Sequence, residues 1–186
     1  MKELAPLSDN KIHTLRVMIL NRDGISPKMV GSYFRFATKD HGSKNVSNFD
    51  GECSAMYNIV ADINLDTGCF GNTKAVYFNK QIPLEKHPDT GVEICGQIPD
   101  WQEKRKALLE TAKLFFGIEW MGIDACIDQN GKLRIMEINS FPGLRNSQLN
   151  QPLLKDPDVK AFFEKLLKKI DETSEEKKEK RRKIQR

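Results

Sequence analysis

The 186-residue chain is short of the features that mark secreted, membrane-embedded or nucleic-acid-binding proteins. Its four cysteines, Cys53, Cys69, Cys95 and Cys126, form no CxxC pair. They also lack the small, disulfide-dense context that would make them a covalent framework. They are expected to be reduced and mostly packed thiols. No apolar run approaches the roughly 18 to 20 residues of a bilayer span, and the opening MKELAPLSDN has no apolar segment of the secretory type. A cytoplasmic location is the reading that follows. Charge of one sign is scarce as well. The formal excess is +4, and half of it comes from the last sixteen residues, DETSEEKKEKRRKIQR. So thin an excess argues against nucleic acid as a partner, because that role needs a concentrated basic stripe. Anionic small molecules fit the same balance. There is no internal repeat.

With 39% hydrophobic and 30% charged residues, the chain has the make-up of a soluble globular domain. At this length, folding alone would bury about 70% of the extended surface. HTLRVMIL (13–20) and MVGSYFRFAT (29–38) have strand character, and NRDG between them is a turn signal. KDHGSKNVSNFDGE reads as a loop. AMYNIVADI (55–63) and TKAVYFNK then flank the glycine-rich turn DTGCFGN. Four strands of antiparallel meander are expected over the first eighty residues. The proline-rich segment 81–99 is expected to be an irregular connection, long enough to imply a function. Asp100, with Glu103 three residues on, signals a helix start, and Gly117 its end. WMGIDACID and KLRIMEIN, joined by QNG, read as a hairpin. DPDVKAFFEKLLKKI (156–170) is expected to be an amphipathic helix, with Val159, Phe162, Phe163, Leu166, Leu167 and Ile170 on one side. The boundaries expected are a core over 1–170 and a charged, disordered tail over 171–186.

The terminal hairpin carries the chemistry. Alternation along RIMEINS puts Arg134, Met136 and Ile138 on one face and Ile135, Glu137 and Asn139 on the other. The QNG turn brings Asp124 of the partner strand diagonally near them. Two carboxylates and an amide converging on one sheet face are costly without compensation. Three readings account for them. They can pair with Arg16, Arg35 or Arg134; they can act as an acid/base pair; or they can hold a hard cation such as magnesium, which takes oxygen ligands and leaves positions for water and phosphate. Elsewhere, the NFDGE loop is either an ordinary turn or an anion-binding concavity around Gly51, with Asn48 offering a direct ligand contact. His87 is a candidate base near neutrality or a residue that orders the 81–99 connection.

The segments SDNKIHTLRVMIL, SNFDGECSAMYNIVADINLDTG, HPDTGVEICGQIPDW and the pair MGIDACID with MEINSFPG resemble, in that order, the C-terminal part of the ATP-grasp ligases. They resemble more closely the ATP-grasp group associated with sugar transfer and polysaccharide biosynthesis, over most of residues 8–152. The resemblance implies an α+β fold, a mainly antiparallel sheet with packed helices. It implies that Asp124, Glu137 and Asn139 hold the Mg2+ that bridges the phosphates of ATP, and that Arg16 faces substrate or the transferred phosphoryl group. Arg35 stands where the family has a second basic residue. The implied reaction activates a carboxylate substrate as an acyl phosphate, which an amine or similar nucleophile then attacks. Relatives tend to carry a second glycine where this chain has Glu52, which puts substrate specificity at that loop in doubt. Because HTLRV opens the core, the preceding nucleotide-clamp subdomain is expected to be missing, so that full activity would need a missing N-terminal portion or a partner, and the surface the clamp would cover favours a homo-oligomer. Two other readings stand beside the ligase: a non-catalytic domain that binds phosphate-bearing ligands or a protein, and nucleic-acid binding through the KEKRRK tail.

Overall fold

A computed structural model of the chain describes residues 12–38, 48–50, 55–148 and 151–184. The chain divides into two compact units, Met1–Asn150 and Gln151–Arg186.

The first unit is built on one antiparallel sheet. Its strands are β1 (Thr14–Leu20), β2 (Lys28–Phe36), β3 (Asn48–Asp50), β4 (Ala55–Ile63), β5 (Cys69–Tyr77), β6 (Gln81–Pro83), β7 (Gly96–Gln97), β8 (Trp120–Ile127) and β9 (Leu133–Ser140). The spatial order is β6-β5-β4-β2-β1-β8-β9, with β3 on β4 and β7 on β5. The expected meander and terminal hairpin are both present, and β8 joins them by pairing with β1. The α+β, mainly antiparallel architecture is the one expected. The segment 81–99 is more ordered than its prolines suggest. It contributes β6 and β7 to the edge of the sheet and closes a Lys86–Glu93 bridge. The loop expected from 39 onward contains β3, and the rest of it lies outside the described residues.

Strand alternation divides the sheet into two unlike faces. Leu15, Val17, Ile19, Phe34, Phe36, Ile59, Ala61 and Ile123 form an apolar core on one face with Trp101, Leu108 and Ala112 of helix α1 (Trp101–Lys113). The intervening positions, Arg16, Tyr33, Arg35, Asn58 and Asp124, face the other way. A small buried cluster of Tyr33, Val60 and Val76 lies there, and Met18 and Leu20, alternating with Arg16 on β1, are buried on the same side.

Helix α1 differs from expectation at both ends. Asp100 has left-handed backbone angles (φ 50°, ψ 40°) and makes no side-chain cap. Instead the buried Lys104 ammonium donates to the carbonyl of Pro99 at 2.7 Å and lies 3.8 Å from the Asp100 carboxylate. The helix stops at Lys113, ahead of Gly117, because the buried Asn21 amide donates to the carbonyls of Ala112 (2.9 Å) and Phe115 (3.3 Å). That satisfies end-of-helix acceptors from a neighbouring strand end. Leu114 and Phe115, which the expected end at Gly117 would have kept within the helix, lie past its last residue and are exposed.

The second unit holds a 3-10 turn (Leu153–Lys155) and helix α2, which runs unbroken as Pro157–Ile184. Asp156 caps it by accepting from the N–H groups of Asp158 and Val159 (3.0 and 3.3 Å), with Pro157 at the first helical position. The expected boundary at 170/171 therefore falls inside a helix. Glu, Lys and Arg are good helix formers even where no apolar face exists. Val159 and Phe162 are buried, whereas Leu167 and Ile170 are exposed, so the expected apolar stripe is used only at its start. No helix among the described residues is long and apolar enough to cross a membrane.

Candidate active site

The polar face carries a straight row of side chains across four strands. Arg16 of β1 is opposite Tyr33 of β2 on one side and Asp124 of β8 on the other, and Asp124 is opposite Glu137 of β9. Asn139 pairs with Gly122, one step along the same face, and its Nδ2 donates to Asp124 Oδ2 at 3.4 Å. Asp124, Glu137 and Asn139 thus meet on one surface, with Asp124 directly across from Glu137 rather than diagonal to it.

Simple alternation was wrong for part of β9. The register shifts between Asp124 and Ala125, so that Ala125 pairs with Ile135, Cys126 with Arg134, and Met136 is left over as a bulge. Arg134 therefore returns to the face of Glu137, and Ile135 goes to the opposite one. Arg134 is nevertheless taken up elsewhere: its Nε donates to Asp128 Oδ2 at 2.9 Å within the turn.

Of the three arginines proposed as partners for the carboxylates, Arg16 is the one that pairs. Its Nε donates to Asp124 Oδ1, and its Nη2 donates to Oδ2 at 2.5 Å, a two-pronged contact. Both side chains are nearly withdrawn from water, at 11% and 13% exposure. Burial by itself pushes the Arg16 pKa down, but the hydrogen bonds to Asp124 and the fields of Tyr33, Asp124 and Glu137 more than offset it, and the net shift is upward. The guanidinium stays charged at every accessible pH.

The residues present suit a magnesium ion. Two carboxylates and an amide carbonyl are all hard oxygen donors, and three protein ligands leave room in an octahedral shell for water and phosphate oxygens. Glu137 is exposed, so its oxygens are accessible. Asp124 keeps further lone pairs beyond those directed at Arg16. Among the described residues no cluster of three His, Cys, Asp or Glu side chains forms, so a cation on this face would rest on two carboxylates and the amide oxygen of Asn139.

Beyond the row, the chain leaving β9 folds back over the polar face. Phe141 takes a left-handed conformation (φ 57°), which turns Pro142 down onto Gly122. A Cβ at Gly122 would come within 2.7 and 2.9 Å of Pro142 ring carbons and 3.3 Å of Arg16 Cδ, so only glycine admits this approach. The loop is pinned at its far end by Arg145, whose Nη2 donates to the carbonyls of Tyr77 and Phe78, the latter at 2.7 Å. Between loop and sheet lies a cavity of about 540 Å³, lined by residues that include Arg16, Tyr33, Arg35, Asn58, Tyr77 and Arg145.

A family model described as sugar-transfer associated ATP-grasp matches residues 1–161. The chain belongs to that family. No curated protein and no solved structure matches it. The antiparallel sheet with one helix-covered face is that of an ATP-grasp domain, and family membership brings ATP binding and a ligase-like character with it.

The other candidate residues of this ATP-grasp chain fall as follows. Arg35, opposite Thr14, lines the cavity. Asn48 is described by its backbone alone, in β3 opposite Tyr57, and Gly51 and Glu52 lie outside the described residues. His87 is buried away from the polar row. Its Nε2 bonds the carbonyl of Ala37 at 3.0 Å, and its own carbonyl accepts from the N–H groups of Thr90 and Gly91, so it orders the 81–99 connection. Burial holds its pKa below the ordinary histidine value, against the opposing pull of the Ala37 hydrogen bond and Asp89. Cys69 and Cys95 are free but exposed rather than packed, Cys126 is half-buried, and Cys53 is outside the described residues. Sequence reasoning missed Arg145, Asn58 and Tyr33. Tyr33 was within reach, since it alternates with Arg35 on a strand. Arg145 was not, because its place depends on a loop that runs across the sheet from β9 to the end of β5.

Proposed function

We propose that the chain is a magnesium-dependent ATP-grasp ligase that joins a carboxylate to an amine or a similar nucleophile through an acyl phosphate. Asp124, Glu137 and Asn139 would hold the magnesium. When bound, that ion neutralises charge on the nucleotide phosphates. Arg16 supplies a rigid, permanently charged donor fork next to them, suited to the oxygens of the phosphoryl group in transfer. Asp124 fixes that fork in place, and Arg35 offers a second guanidinium on the substrate side. The γ-phosphoryl passes to the carboxylate, ADP leaves, and the nucleophile then displaces phosphate. A role in polysaccharide or cell-surface biosynthesis, drawing on cytoplasmic ATP, agrees with the sugar-transfer association of the family.

The observation that carries this reading is the single row Arg16–Asp124–Glu137, with Asn139 beside it. A second reading, a non-catalytic domain that binds a phosphate-bearing ligand or a protein, draws on one fact. Asp124 is already neutralised by Arg16, so the row is stable without a cation. Calorimetric titration with ATP and Mg2+ separates the two. Glu137→Gln should weaken Mg-ATP binding by at least about tenfold under the ligase reading. An unchanged affinity in that variant supports the non-catalytic domain.

A further inference from the structure

The cavity beside the row holds an unusual combination of groups. Three guanidinium side chains, Arg16, Arg35 and Arg145, line it, and no described Asp or Glu does. Asp124 accounts for the charge of Arg16. The hydrogen bonds of Arg145 go to neutral carbonyls and leave its charge uncompensated. Among the described residues, then, no carboxylate lining the cavity balances the charges of Arg35 and Arg145.

Two further groups are unsatisfied in a complementary way. The Nε of Arg35, a donor, and the Oδ1 of Asn58, an acceptor, are both buried and both without a hydrogen-bond partner. Their strands place them on one face: Arg35 is opposite Val60, and Asn58 lies two residues before Val60 on β4. Buried polar groups are nearly always paired, because leaving one unmade costs the full desolvation of that group. Here the missing partners are an acceptor for Arg35 and a donor for Asn58. Tyr77, Phe78 and Leu144 give the same cavity an apolar wall, and its volume suits a small molecule of several heavy atoms.

We infer that this cavity is the acceptor-substrate site, and that it selects a small acid bearing two carboxylates and an N–H or O–H donor, the class of acidic amino acids and hydroxy-dicarboxylates. One carboxylate meets Arg35 and the other meets Arg145, while the donor satisfies Asn58 Oδ1. The term substrate rests on the ligase reading; the binding itself does not.

The test is calorimetric titration of the intact chain, without nucleotide or magnesium, with three probes of similar size: glutamate, glutarate and 4-aminobutyrate. Glutarate lacks the donor, and 4-aminobutyrate lacks one carboxylate. Glutamate should bind at least about tenfold more tightly than either, since a site built around a hydrogen bond rejects the analogue that cannot make it. Asn58→Ala should abolish the preference over glutarate alone, and Arg145→Gln the preference over 4-aminobutyrate alone. Because Arg145 also pins the loop, Arg145→Lys serves as the second variant: it keeps the charge and should keep most of the preference. Equal affinities for the three probes, no saturable binding of any of them, or loss of the preference in Arg145→Lys as complete as in Arg145→Gln would overturn the inference. Normal Mg-ATP binding with a flat ranking sinks this inference alone. A ranked series in a protein that binds no Mg-ATP sinks the ligase reading alone.

Discussion

Replacing Asp124 by Asn tests the electrostatics at the centre of the row. The substitution preserves shape but removes the charge that faces Arg16, and it turns an amide N–H group toward a guanidinium that is itself only a donor. Both carboxylate oxygens accept from Arg16, at side-chain exposures of 11% and 13%, so the pair is close to fully desolvated. Breaking one partner of such a buried pair costs about 3–5 kcal/mol, most of it from the charge left behind. Glu137, across from Asp124, lends Arg16 a residual opposite charge and reduces the loss to about 2–3 kcal/mol. For a chain of 186 residues that corresponds to a fall in Tm of roughly 5–10 °C. The assay is thermal unfolding followed by circular dichroism, with Arg16→Met combined with Asp124→Asn as the control. Removing both partners leaves no orphaned charge, so the double variant should recover much of the loss. A single variant as stable as the wild type refutes the reasoning. So does a double variant whose loss is the plain sum of the two single losses.

Two further perturbations follow from the same geometry. Gly122→Ala should destabilise by about 1–3 kcal/mol, because the new methyl group meets the rigid Pro142 ring, whereas Gly143→Ala, which meets nothing within 4 Å, should be close to neutral; thermal unfolding of both variants checks this. His87 is buried with its pKa below the ordinary 6.5, so the unfolded chain binds its proton more readily than the folded one. Stability from His87 is therefore complete above about pH 6.5 and declines as pH falls toward the folded-state pKa, with a slope of at most about 1.4 kcal/mol per pH unit. Urea unfolding between pH 5 and 7 should show a shallower dependence in His87→Gln, which retains a donor for the carbonyl of Ala37.

Much of the sheet was legible because its strands carry a two-residue period and its turns carry Gly, Asn and Asp. Pairing Glu137 with Asn139 on one face needed nothing more than that period. What remained hidden was set by contacts distant in sequence. The bulge at Met136, which moves Arg134 and Ile135 to the faces opposite those expected, has no local signature in RIMEINS. The end of α1 is decided by Asn21, more than ninety residues away. The competition over Asp124 was visible as a choice among three arginines, but only the β1–β8 register selects Arg16. The cavity was invisible for a related reason: it exists because Phe141 adopts φ 57° and Arg145 reaches the carbonyls at the end of β5. Neither event follows from propensity.

Whether Asp124, Glu137 and Asn139 hold magnesium against which Arg16 works on phosphate is decided by a crystal structure of the chain with Mg2+ and a non-hydrolysable ATP analogue. One Mg2+ ion or more should be present with Asp124, Glu137 and Asn139 oxygens at about 2.0–2.1 Å, phosphate oxygens completing the shell and Arg16 within hydrogen-bond reach of the terminal phosphate. A nucleotide bound away from the polar face, or phosphates on it with no metal between them and Glu137, would refute the magnesium site.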